Sequence, residues 1–170
     1  MNPDSCKILL PVDGSADALA AVRHALQRCG AMPGASFVVV NVQGPPSLYE
    51  VVVAHDAERV EAVRREAGAD LLAAAEALLD AAGAEYESEV ASGAAEHLIV
   101  ELVENYGCDA IVMGARGTDA AAADARGLGP VALAVLQASP VPVTIVRAAA
   151  AIEDDAEDDE SNEDVGEPET

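Results

Sequence analysis

"CKILLPVDGSADALAAVRHALQRCG" (Cys6–Gly30) decides how the rest of the chain is read. Apart from Lys7, residues Cys6–Val12 form an unbroken apolar run, which Asp13, Gly14 and Ser15 then break. A strand with apolar residues on both faces is buried from both sides, as in a parallel sheet covered by helices. After the break the period changes. Leu19, Val22, Leu26 and Cys29 recur at three and four residues, one face of a helix from about Ala16 to Arg28. Ser15 suits its N-cap and Gly30 its stop.

The same alternation continues outward. "SFVVVNV" (Ser36–Val42) is a second buried strand, closed by "GPP". The stretch Ser47–Asp56 has no clear period and reads as a short helix and loop. A long helix is expected over Ala57–Ala82, with Val60, Val63, Ala67, Leu71, Ala75, Leu78 and Ala82 as its buried stripe. "AEYESEVA" (Ala84–Ala91) sets Tyr86, Ser88 and Val90 against three glutamates, a strand with one wet face, expected at a sheet edge. A helix over Ala94–Tyr106 stops at Gly107. "DAIVM" (Asp109–Met113) is a buried strand, Pro130–Gln137 a short helix and "VPVTIV" (Val141–Val146) a last strand. The order β-α-β-α-β-α-β-α-β implies parallel strands with right-handed crossovers, an α/β three-layer open sheet with helices on both faces. Ligands of such sheets sit at the carboxyl ends of the strands, near the topological switch point.

Composition supports one domain over residues 1–148, followed by a tail over residues 149–170. Of 170 residues only four are aromatic, so Ala, Val, Leu and Ile must build the core. Net charge is −22, and Glu153–Thr170 alone holds eleven acids and no base. That tail repels itself, lacks apolar periodicity and is expected to be disordered. The remainder, twenty acids against nine bases, is still too acidic to bind a nucleic-acid backbone. No apolar run approaches membrane-span length and "MNPDSCK" has no basic flank, so a cytoplasmic protein without membrane contact is expected. Cys6, Cys29 and Cys108 fit no zinc or redox spacing and are expected to be buried, reduced thiols.

The chemistry-bearing candidates lie in two loops. Asp13, Gly14 and Ser15 follow the first strand; Asp13 can aim its carboxylate at the strand-end crevice. "MGARGTDAAAADARGLGPVA" (Met113–Ala132) follows the fourth strand. Gly114 and Gly117 let backbone amides approach a phosphate, and the next helix N-terminus adds its dipole. No Walker A sequence occurs. The nominal G-x-G-x-x-A at Gly127–Ala132 follows a loop instead of a strand, which does not suit a dinucleotide fingerprint. His24 and His97 fall in helices, and His55 beside Asp56 is a bare neighbour pair, so no residue is assigned a catalytic role and no metal site is expected.

From Cys6 to Arg147 the chain resembles the universal stress proteins. The likeness rests on "KILLPVDGS", "VVVNV", "VASGAAEHLIVELVENYGCDAIVMGARG" and "LQASPVPVTIV", in that order. It implies a five-stranded sheet of order 3-2-1-4-5, a homodimer pairing through the last strand Val141–Val146, and a stress-response binding or regulatory role without turnover. Its ligand would be ATP, with magnesium. The resemblance places Pro11, Asp13 and Val42 around the adenine. It sets Met113 and Gly114 near the ribose and first phosphate, and Arg116, Gly117, Gly129 and Val131 around the phosphates. The alternatives it leaves are a dimeric interaction protein acting through partner contacts without nucleotide, and a weak ATP hydrolase, which the lack of an evident base or metal-ligand set disfavours.

The family's phosphate motif, G-x2-G-x9-G-[Ser/Thr], is kept in its first half by Gly114 and Gly117. Counting back from "SPVPVTIV", its last glycine is Gly129. The filler is then two residues longer and Pro130 replaces the hydroxyl residue. Gly129 and Pro130 suit an N-cap and first helical residue. Proline offers a phosphate neither N–H nor hydroxyl, so a weakened site is expected. The surplus filler brings Asp119 and Asp124, which oppose phosphate, and leaves Arg116 and Arg126 as its candidate cations.

Overall fold

The computed structural model describes residues 6–45, 57–119, 121, 123–124 and 127–149. The stretch Ser47–Asp56 with His55, Arg126 and the acidic tail Glu153–Thr170 lie outside the described residues. The elements are β1 (Cys6–Pro11), α1 (Ala16–Cys29), β2 (Ala35–Gln43), α2 (Ala57–Ala82), β3 (Glu85–Ser92), α3 (Ala95–Tyr106), β4 (Ala110–Gly114), α4 (Pro130–Ala138) and β5 (Val143–Val146). They form one five-stranded sheet of order β3-β2-β1-β4-β5, and each neighbouring pair is parallel.

The pleat divides the apolar strand residues between two cores. Ile8, Leu10, Phe37, Val39 and Val112 face α1 and α2 on one side. Leu9, Val38, Val40, Ile111 and Met113 face α3 and α4 on the other. Leu9, Leu10, Val38, Val39, Val40 and Ile111 are wholly inaccessible to solvent; each such side chain contributes about 1.5–3 kcal/mol relative to exposure. The continuous apolar runs of β1 and β2 thus have the physical cause inferred from them: both faces are covered. β3, with exposed Glu85 and Glu87, lies at one edge and β5 at the other.

Three expectations need correction. In α2 the buried stripe is Gly68, Leu72, Ala75 and Leu79, whereas Val63 is 60% exposed and Ala67 and Ala82 are exposed. Ala75 lies in both stripes; around it the buried positions move by one residue, from Ala67, Leu71 and Leu78 to Gly68, Leu72 and Leu79. The leucine pairs Leu71–Leu72 and Leu78–Leu79 fit either face, and Gly68 decides between them. A Cβ there would come 2.5 Å from Val90 Cγ1 and 3.0 Å from Asn41 Oδ1. The helix therefore approaches β2 and β3 most closely where it has no side chain. The last strand begins at Val143, not Val141. Pro140 and Pro142 donate no ladder hydrogen bond, and Ser139 closes the turn through its hydroxyl to Val141.

The cysteines, all expected to be buried, differ as well: only Cys108 is, while Cys6 and Cys29 are half-buried at the amino end of β1 and the end of α1; all three are free thiols. Burial pushes the Cys108 thiol up to about 11. Among the described residues no helix is long and apolar enough to cross a membrane.

Candidate functional site

β1 and β4 are neighbours, while the chain leaves β1 toward one side of the sheet and β4 toward the other. Beyond their carboxyl ends lies a cleft of about 290 Å³. Its floor is apolar: Pro11, Val40, Val42, Ala95, Ile99 and Met113 line it. Its rim comes from the β1–α1 turn, the loop after β4 and the start of α4. Asp13, Gly114, Arg116, Gly117, Gly129 and Val131 line it there. The residues singled out from the sequence therefore converge on one cleft from separate parts of the chain.

The rim is assembled by carboxylates. Asp13 accepts the Ser15 N–H through Oδ1 and the Thr118 N–H through Oδ2, both at 3.0 Å. It thereby joins the turn after β1 to the loop after β4. A Cβ on Gly117 would lie 2.7 Å from Asp13 Oδ2, so glycine lets this carboxylate reach the next amide. Gly114 serves a similar end. A Cβ there would sit 2.7 Å from Ala18 N and 2.8 Å from Asp17 C, so the end of β4 and the first turn of α1 can touch only without one. Ser15 caps α1, accepting the Ala18 N–H at 3.2 Å, and donates its hydroxyl to Arg116 O.

Asp17, which the sequence did not single out, is the most connected residue of the rim. It is 4% exposed. Oδ2 accepts the Arg116 backbone N–H at 3.2 Å and its Nε–H at 2.9 Å; Oδ1 accepts Arg116 Nη2 at 3.2 Å and the Ala148 N–H at 2.9 Å. The Arg116 hydrogen bonds hold the Asp17 carboxyl below its ordinary range although burial opposes them. Arg116 thus lines the cleft with its guanidinium turned toward Asp17. An acid in a helix's first turn, opposite the one arginine between two loop glycines, was the signal available, but neither residue reveals the other without the topology. Asn41, 2% exposed, was also missed. It donates to Val12 O at 2.7 Å, fixing the end of β2 to the residue before Asp13.

At the far side, Gly129 caps α4 with extended backbone and Pro130 occupies the first turn. Gly129 donates to Ala115 O at 2.8 Å, which seats the helix start against the loop after β4. Val131 and Ala132, which both line the cleft, carry first-turn amides that have no acceptor within the helix. Gly127 belongs instead to a separate turn. Asp124 O accepts the Gly127 N–H and Asp124 Oδ1 the Leu128 N–H, both at 2.9 Å. The nominal dinucleotide fingerprint is therefore split between a surface turn and a helix cap. Asp119 lines the cleft and Asp124 does not. Neither His24 nor His97 reaches the cleft.

The family model described as "Universal stress protein family" matches residues 6–147. The chain belongs to the universal stress protein family. Three solved structures show the extent of the likeness. The protein MJ0577 is 22% identical with a TM-score of 0.72, over 87% of this chain and 99% of that one. A universal stress protein in complex with cAMP is 26% identical with a TM-score of 0.64, over 86% and 99%. A family protein from Arabidopsis thaliana with AMP bound is 16% identical with a TM-score of 0.59, over 85% and 93%. A comparison with curated protein sequences gave no match. The universal stress protein sheet, with β3 and β5 at its edges, is the one built above from the pleat and the two cores.

Proposed function

We propose that this universal stress protein binds an adenine nucleotide in the strand-end cleft and acts as a cytoplasmic stress-response regulator without turnover chemistry. One observation carries the reading. An apolar floor that includes Val42 and Met113 opens onto a rim that includes Gly117, Val131 and Ala132, the last two carrying first-turn amides with no acceptor within the helix. A flat apolar base with an anionic tail matches that division of a pocket into apolar floor and few polar groups. The relative solved with cAMP supports the same class of ligand.

In this reading Pro11, Asp13 and Val42 flank the base, and Met113 and Gly114 meet the ribose and first phosphate. Gly117, Gly129 and Val131 surround the phosphates, with Arg116 behind them. ATP with magnesium is the family-implied ligand, and Pro130 weakens its hold on the terminal phosphates. Calorimetric titration with AMP and ATP tests the proposal, with Val42→Arg as the control that fills the base pocket. Binding to the wild type and loss in the variant support it; no heat at millimolar nucleotide overturns it.

β5 supports a second element of the proposal, a homodimer. Among the described residues it has one strand neighbour, β4, and an edge strand bearing Val143, Ile145 and Val146 needs cover. A monomeric mass at micromolar concentration overturns it. If dimer forms and nucleotide does not bind, the chain works through partner contacts alone.

A further inference from the structure

The number of phosphates the cleft accepts is set by the charges of its rim. The only cationic side chain among the described residues lining the cleft is Arg116. Its Nε and Nη2 both donate to Asp17, a carboxylate 4% exposed. Turning that guanidinium toward a ligand would strip a buried carboxylate of its counter-charge, which is strongly unfavourable. Pro130 removes the first N–H of α4, leaving the amides of Val131 and Ala132, a partial positive charge that suits one phosphate. The lining also includes Asp119, whose charge opposes added phosphates.

We infer that the site selects an adenine nucleotide with one phosphate over the triphosphate, and that Asp17 sets this choice by withholding Arg116 from the ligand. The inference rests on the adenine-nucleotide reading above. Asp17 is a positioning residue in it: it touches no ligand and acts through the arginine it holds.

The experiment titrates the full chain with AMP and with ATP in magnesium, and reads the ratio of the two affinities. AMP is expected to bind at least about tenfold more tightly, the cost to ATP of bringing added charge into the cleft without a partner for it. ATP binding as tightly as AMP overturns the inference and leaves the adenine reading standing; binding of neither overturns both. Asp17→Asn keeps an oxygen for the Ala148 amide but releases the arginine, and should shift the ratio toward ATP by about tenfold. Arg116→Lys cannot keep the two-pronged pair with Asp17 and offers a mobile ammonium instead, so it should shift the ratio in the same direction. Circular dichroism establishes which variant is folded. An unchanged ratio in a folded variant overturns the role given to Asp17.

Discussion

Asp17→Ala is the sharpest structural test, because four donors lose their acceptor together. The Arg116 and Ala148 backbone amides are part-buried and lose about 1 kcal/mol each when left to find water. The side-chain pair adds less than its geometry suggests, since Arg116 is 42% exposed and rehydrates; about 1 kcal/mol is appropriate. Losing an acid at a helix start and gaining alanine's helix propensity nearly cancel. The sum is about 3 kcal/mol, which for a domain of this size lowers Tm by roughly 6–12 °C. Thermal unfolding followed by circular dichroism at neutral pH measures it. The sign with pH is fixed by the depressed carboxyl of Asp17. Its contribution is complete above the ordinary value of 3.8 and fades as pH falls below that. The gap between the wild type and the variant should therefore narrow in acid, while a protonated carboxyl still accepts from the two backbone amides. A loss under about 1 kcal/mol at neutral pH, or a gap that does not narrow as pH falls while both fold, would refute the account of the rim.

Other perturbations probe the loop, the helix start and the buried thiol. Pro130→Ser restores an N–H and a hydroxyl at the start of α4, and should tighten ATP by about tenfold while leaving AMP nearly unchanged. Calorimetry checks it, and equal ATP affinity would move the defect to the longer loop. Gly114→Ala forces a Cβ to within 2.8 Å of α1 backbone and should cost about 1–3 kcal/mol in urea unfolding; an unmoved midpoint would show that α1 gives way freely. Cys108 is pushed by burial to about 11, and Tyr106, which donates to Glu89, to about 12. Both favour the fold below their ordinary values of 9.0 and 10.0, and that support is lost as pH rises through the raised ones. Stability should fall between about pH 9 and 12, and native protein at pH 8 should alkylate at Cys108 only on unfolding.

The fold was legible because period and burial agree: β1 and β2 are apolar on both faces, and such a run is stable in water only when helices cover it from both sides. The long helix was legible in extent but not in rotation. Alanine and doubled leucines blur its stripe, and a glycine cannot announce its burial by hydrophobicity. At the site, the glycines and Asp13 mark where loops come together, since they sit directly after strands. Asp17 did not stand out, because an acid in a first helical turn already has a sufficient local reason. Its partners are 99 and 131 residues away, a separation no local pattern encodes. The shift of the last strand to Val143 was written in Pro140 and Pro142, whose missing N–H groups outweigh the apolar run around them.

The parallel register has a practical consequence for handling the protein. β1 enters the sheet at Cys6 on the edge remote from the cleft, while β5 ends at Val146 beside it, and the next residues reach Asp17 through Ala148. The two ends of the described body therefore leave at opposite ends of the parallel strands, about one strand length or 20 Å apart. A surface anchor or fluorophore placed before Cys6 would point the cleft outward into solution; one placed after Ala148 would crowd its mouth. A circular permutant joining those ends would need about six or seven extended residues to make the crossing.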